Sequence, residues 1–149
     1  MESPVMGPKD GDGRDFPEHY TVCAHGTTDL TVVHTNVPEE AKKVLDMYSQ
    51  WLQEPGQTYK IVGLDVEYTL KEGGKPQGAA LVQLCMRQHC LLYHVCRVKA
   101  PRYCSRLKEF LQNRDIEFAS VDIRNDSKVL ESICIHVANH ADLQMEFQI

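Results

Sequence analysis

Asp65 and Glu67 stand two residues apart in Ile61-Val62-Gly63-Leu64-Asp65-Val66-Glu67-Tyr68, an otherwise apolar run. The run reads as a strand, in which successive side chains point to opposite faces. Val62, Leu64, Val66 and Tyr68 therefore share one face, and Gly63, Asp65 and Glu67 the other. Paired carboxylates taken out of water need a cation or basic partners. Hard divalent ions such as Mg²⁺ or Mn²⁺ meet that need with oxygen ligands. An edge strand with a wet polar face accounts for the same alternation, so both readings stand on the pattern alone.

A third carboxylate follows in Ile123-Arg124-Asn125-Asp126. The spacing predicts that Asp126 opens a helix, capped by Asn125, whose apolar residues Val129, Leu130 and Ile133 lie on its own side. Such a helix aims the Asp126 carboxylate back toward the sheet. An ordinary acidic residue favoured by the helix dipole is the alternative.

The elements that must position these groups are legible around them. Tyr20–Ala24 and Thr31–Thr35 are β-branched runs about Gly26-Thr27-Thr28-Asp29, which reads as a hairpin. Asn36 is placed to cap a helix with Pro38 and Glu39-Glu40 in its first turn. Ala41, Val44, Leu45, Tyr48 and Leu52 recur at helical spacing until Pro55-Gly56. Strands are expected at Ala79–Met86, Cys90–Val95 and Glu117–Ile123, with a short one at Cys134–Val137. A helix after Pro101 presents Leu107, Phe110 and Leu111. The segment from Lys71 to Gly78 is expected to be a flexible turn. The order ββα-βββ-α-β-α-β describes an α/β sheet opened by antiparallel strands. Residues 1–18, with Pro4, Pro8, Pro17 and three glycines, are expected to form a disordered tail before a domain over 19–149.

The chain has 149 residues, 16 Lys+Arg against 21 Asp+Glu, and a net charge of −5, the balance of a single soluble domain. No apolar run approaches the roughly 20 residues of a membrane span. The opening Met1-Glu2-Ser3-Pro4 lacks the features of a secretory signal, so a cytoplasmic or nuclear compartment is expected. Acidity argues against holding nucleic acid by bulk positive charge. Six cysteines are present, and Cys85, Cys90, Cys96 and Cys134 are expected to be reduced and buried. The spacing Cys85-x4-Cys90-x5-Cys96-x7-Cys104 lacks a C-x2-C knuckle and argues against zinc. Arg97, Lys99, Arg102, Arg106 and Lys108 form a basic stretch that reads as a solvated helix entry. Tyr48 and Trp51 read as core, and His34, His136 and His140 as structural or surface residues.

Together these segments resemble the 3′–5′ exonuclease domains of the DEDD superfamily, the Werner-syndrome type and its short plant relatives above all. The resemblance rests on Val62-Gly63-Leu64-Asp65-Val66-Glu67-Tyr68, similar to the first exonuclease motif, aspartate-any-glutamate. Ala80-Leu81-Val82-Gln83-Leu84-Cys85 and Cys90-Leu91-Leu92-Tyr93 resemble the strands that follow. Phe118-Ala119-Ser120-Val121-Asp122-Ile123, leading into Asp126 and Leu130, looks like the second motif. Val137-Ala138-Asn139 with Ala141-Asp142-Leu143 resembles the next segment, and the likeness runs from about Tyr20 to Gln144. It implies a ribonuclease-H-like mixed sheet with flanking helices, and Asp65, Glu67 and Asp126 as three of four carboxylates holding Mg²⁺ or Mn²⁺. It also implies a single-stranded 3′ end of DNA or RNA as substrate. In that family two ions roughly 3.5–4 Å apart bridge the scissile phosphate.

Departures from the pattern limit what is expected. Val66 and Tyr68 stand where the Werner type has threonine and tryptophan. No Tyr-x3-Asp or His-x4-Asp follows Asp126, and His136-x5-Asp142 misses the second spacing by one. The domain is therefore expected to be incomplete at its C-terminus, without a fourth carboxylate or a general base. Glu146 is acidic but lacks helical apolar spacing around it. The alternative expectation is a catalytically inactive exonuclease-fold module. It would act through a protein partner or a homo-oligomer covering the face that the missing helix leaves.

Overall fold

The computed structural model describes residues 15–24, 26–68, 79–95 and 105–143. Seven strands and three helices are found among them: β1 (Pro17–Ala24), β2 (Thr28–Thr35), α1 (Pro38–Leu52), β3 (Ile61–Tyr68), β4 (Ala79–Met86), β5 (His89–His94), α2 (Ser105–Leu111), β6 (Glu117–Ser120), α3 (Ile123–Glu131) and β7 (His140–Asp142). The strands form one mixed sheet in the order β1-β2-β5-β4-β3-β6-β7. β1 pairs antiparallel with β2, as the hairpin signal requires, and β2 lies parallel to β5. β4 is antiparallel to both β5 and β3. The chain then crosses over through α2 to bring β6 parallel to β3, and β7 follows parallel to β6. The fold is α/β, with opening antiparallel strands and flanking helices.

Register builds the core row by row. Leu64 pairs with Leu84 and Leu84 with Leu91, while Val66 pairs with Val82 and Val82 with Tyr93. All six side chains are buried, as are Leu45 and Tyr48 of α1, Leu107 and Phe110 of α2, and Leu130 of α3. Each such side chain contributes roughly 1.5–3 kcal/mol by leaving water. The alternate row (Asp65 opposite Gln83, Gly63 opposite Cys85) is half-buried or exposed. The apolar rows thus decide which face of β3 the carboxylates occupy.

Four local expectations change. β1 begins at Pro17, and Phe16 is buried, so order reaches into the span assigned to a tail. Asn36 is not the helix cap. Its Oδ1 accepts the Phe16 N–H at 2.9 Å, and Thr35 Oγ1 donates to the Phe16 carbonyl at 2.6 Å. The α1 N-cap is Val37, with Pro38 in the first turn. Likewise α3 starts at Ile123 after an Asp122 N-cap, which puts Asn125 inside the helix. Finally, Cys134–Val137 is not a strand. Cys134 has φ 60° and its N–H, with that of Ile135, closes the end of α3 on Glu131 and Leu130. Ile135 and Val137 are buried around exposed His136, a strand-like alternation without a ladder. The last strand forms instead at His140–Asp142.

The cysteine expectation also changes. Cys134 and Cys23 are exposed, and Cys85 and Cys90 are only half-buried. Cys96, Cys104, the Lys71–Gly78 turn, Pro101, Arg97, Lys99, Arg102 and Glu146 lie outside the described residues.

Candidate carboxylate site

β3 places Asp65 and Glu67 on one face, as alternation demands, and both are exposed. Their registers, Asp65 opposite Gln83 and Glu67 opposite Leu81, hold them on the central strands of the sheet. The β3–β4 register slips between Glu67 and Tyr68. The Tyr68 hydroxyl reaches α3, where it donates to Asp126 Oδ1 at 2.6 Å. Asp126 is 2% exposed and sits in the first turn of α3, its N–H bonded to the Asp122 carbonyl at 3.0 Å. Val129 and Leu130, three and four residues on, anchor that face of the helix in the core. The carboxylate therefore has little freedom to swing into solvent.

Charge shows that the three carboxylates share one field. Burial pushes the Asp126 carboxyl up to about 6. The Tyr68 hydrogen bond opposes that rise, the charges of Asp65 and Asp122 add to it, and the nearby Ser120 hydroxyl opposes it. The Glu67 carboxyl is also raised. The first cause is a hydrogen bond shared with Asp65, followed by burial and by the charges of Asp65 and Asp126. Burial, then the bond to Asp126, pushes the Tyr68 phenol well above its usual range, so the hydroxyl stays protonated as a donor.

Asp126 Oδ2 is buried without a hydrogen bond of normal geometry; the Ser120 hydroxyl that lies near enough to stabilise the carboxylate is engaged by His140. The Ser120 hydroxyl pairs with His140 Nε2 at 2.5 Å, and Ser127 Oγ lies 3.3 Å from His140 Nδ1. A carboxylate oxygen so placed, beside mutually repelling carboxylates, suits a hard divalent cation in donor chemistry. As the side chains stand, no three His, Cys, Asp or Glu among the described residues are gathered closely enough to hold one.

Tyr68, Asp122, Ser120 and His140 are the participants that sequence reasoning did not assign. Asp122 carried a usable signal, an acidic residue four positions before Asp126 at a strand-to-helix junction. Tyr68 carried none, because strict alternation turns it away from Glu67. Arg106 is tied to Asp46 and Ser49 at 2.9 Å each, which removes it as a free phosphate contact. Trp51 stacks on Tyr48 at 5.6 Å between ring centroids, against the core.

The fold recurs in solved exonuclease domains. The EXD2 exonuclease domain superposes with a TM-score of 0.66 at 20% identity, over 78% of this chain and 59% of that one. The same domain soaked in Mg and GMP gives 0.65 at 18% identity, over 78% and 58%. Trypanosoma brucei RNase D in complex with RNA U12 gives 0.62 at 20% identity, over 78% of this chain and 38% of that one. This chain thus spans less than two thirds of those proteins' own length. No known protein-family profile matches the sequence, and no curated protein matches it.

Proposed function

We propose that this chain is a 3′–5′ exonuclease-type domain of the DEDD kind. It engages single-stranded 3′ ends of DNA or RNA through Mg²⁺ or Mn²⁺ at Asp65, Glu67 and Asp126, with hydrolysis impaired. The observation that carries the reading is the buried Oδ2 of Asp126, without a hydrogen bond of normal geometry and in the same electrostatic field as Asp65 and Glu67. A cation is a partner that would satisfy such a group. The shared fold supports it, since one solved neighbour was soaked in Mg and GMP and another was complexed with RNA.

Bound divalent ions would supply an activated water and neutralise charge on the leaving 3′ oxygen. The chain's own part is to hold three carboxylates on a rigid strand and helix, so that little reorganisation accompanies binding of the phosphate. Within these 149 residues no side chain matches the tyrosine or histidine that orients the water in the family, nor the fourth carboxylate. These residues by themselves are therefore expected to hydrolyse several orders of magnitude more slowly than a complete set.

The test is an assay on 3′-intact, 5′-labelled single- and double-stranded oligonucleotides with Mn²⁺. Slow 3′ shortening of the single strand, absent in Asp65→Ala, is the expected result. No shortening at high protein concentration would refute the enzyme reading for this chain. That outcome would favour the second reading, an inactive module working through protein contacts, for which the net charge of −5 also speaks.

A further inference from the structure

We propose that Cys85 and Cys90 form a reversible redox couple, a cross-strand dithiol that a small aliphatic disulfide converts into an intramolecular disulfide joining β4 to β5. The inference stands apart from the carboxylate reading and needs no metal.

Register carries it. β4 and β5 are joined by the two-residue turn Arg87-Gln88, and Met86 pairs with His89 across its mouth. Arg87 has φ 53°, the left-handed first position of a tight hairpin turn. In such a hairpin the pair flanking the turn exchanges both backbone hydrogen bonds, and the next pair out exchanges none. That next pair is Cys85 opposite Cys90. Opposed residues at a site of that kind hold their Cα atoms roughly 4.5 Å apart, with the side chains close together. A disulfide spans Cα separations of about 4.4–6.8 Å, so the backbone is already set for the bond.

The thiols themselves agree with the register. Both are unbridged and half-buried, and they share a hydrogen bond. That bond lowers the Cys90 thiol against the opposing effect of burial. Cys85 is raised, first by the same bond and then by burial. Cys90 is thus poised as the nucleophile and Cys85 as the resolving thiol beside it. Gln83 Nε2 donates to Cys85 Sγ at 3.6 Å, which places an amide where charge develops when Cys85 loses its proton.

The exchange runs in two steps. The Cys90 thiolate, its proton released to water, attacks one sulfur of RSSR, forms a mixed disulfide and expels RS⁻. Cys85 passes its proton to that RS⁻, and its sulfur attacks Cys90 Sγ. The second RS⁻ leaves and takes up the proton that Cys90 released. Two protein thiols and RSSR become one protein disulfide and two RSH. Only four residues separate the two cysteines, so the bond removes little chain entropy from the unfolded state. A Cα spacing at the short end of the range adds strain. Such a bond is easily reduced, which suits a switch and not a staple.

The test equilibrates the native full chain at pH 8 with graded mixtures of reduced and oxidised glutathione. Samples are quenched with acid, alkylated, cleaved with trypsin after Arg87 and mapped by mass spectrometry. A Cys85–Cys90 link that dithiothreitol removes is expected. It should form at a glutathione ratio roughly tenfold or more less oxidising than the adducts at exposed Cys23 and Cys134 require, because its second step is intramolecular. Cys85→Ser should lose that advantage and carry glutathione on Cys90. Circular dichroism melts establish that this variant folds, and the wild-type map decides the question without it. Cys85 and Cys90 left as thiols at the most oxidising ratio would overturn the couple. A link from either of them to a different cysteine, formed in preference, would overturn it as well.

Discussion

The Tyr48 hydroxyl lies 2.7 Å from His89 Nδ1 and 3.2 Å from the Leu84 carbonyl, joining α1 to the centre of the sheet through two buried polar contacts. The hydroxyl donates to the carbonyl, so the ring nitrogen that meets it carries the proton. Burial holds His89 below its ordinary range, and the neutral Nδ1–H tautomer completes the pair. Tyr48→Phe keeps the ring packing against Trp51 and Phe110 but strands both partners. A loss of about 1–3 kcal/mol is expected, read as a lower urea midpoint with unchanged slope.

Asp126 should add stability on mild acidification. Asp126 titrates near 6 in the folded protein against 3.8 when unexposed to these neighbours. The folded state therefore binds the proton more tightly. Its contribution is fully present below pH 3.8 and is lost as pH rises through about 6, and Glu67 shifts in the same direction. Asp46, lowered by its bonds to Lys42 and Arg106, acts oppositely at lower pH. For Asp126, 2% exposed, the effect is on the order of 2–3 kcal/mol. Buried His89 and His140, both held below their ordinary range, oppose this over the same window, so the variant is the test: Asp126→Asn should lower the urea midpoint at pH 5 relative to that at pH 8. An unchanged difference in that variant would place the effect elsewhere.

Much of this was legible before the fold. Alternation in β3 fixed the face of Asp65 and Glu67, because apolar Val62, Leu64 and Val66 can only point inward. The α3 spacing from Asp126 to Val129 and Leu130 did the same for the third carboxylate. What escaped has specific causes. Asn36 and Thr35 spend their side chains on the backbone of Phe16, twenty and nineteen residues away in sequence, which local cap rules do not see. Ile135 and Val137 alternate as a strand does, yet they pack beneath an irregular segment after α3. The Tyr68–Asp126 bond spans 58 residues, a long-range pairing that local periodicity does not encode.

The thiols should react in an order set by exposure. Cys23 and Cys134 are exposed and are expected to be alkylated first by iodoacetamide under native conditions. The Cys85 thiol is pushed up, first by its hydrogen bond with Cys90 and then by burial. It should label at least tenfold more slowly than Cys134, since the thiolate is the nucleophile. Peptide mapping over a time course gives the order directly, and simultaneous labelling of Cys85 and Cys134 would contradict the geometry.

Metal should stabilise the fold weakly, and only through the carboxylates. An ion that binds the native state alone adds RT ln(1 + [L]/Kd), about 1.4 kcal/mol at ten times Kd. For a chain of this length that corresponds to a rise in Tm of roughly 3–6 °C. Binding is expected to be weak because Asp65 and Glu67 are exposed to competing water and no three potential ligands among the described residues stand together. Millimolar Mn²⁺ should therefore raise Tm by a few degrees in wild type at pH 8. Asp65→Asn removes one ligand charge from the face and should abolish the rise, while costing the metal-free protein little, since Asp65 is exposed. The Glu67 carboxyl should then fall back toward its ordinary range, because its first cause of elevation is Asp65. Calorimetric melts with and without Mn²⁺ measure the first effect, and carboxyl-carbon NMR titration of Glu67 measures the second. A metal-dependent rise that survives Asp65→Asn would move the site away from β3.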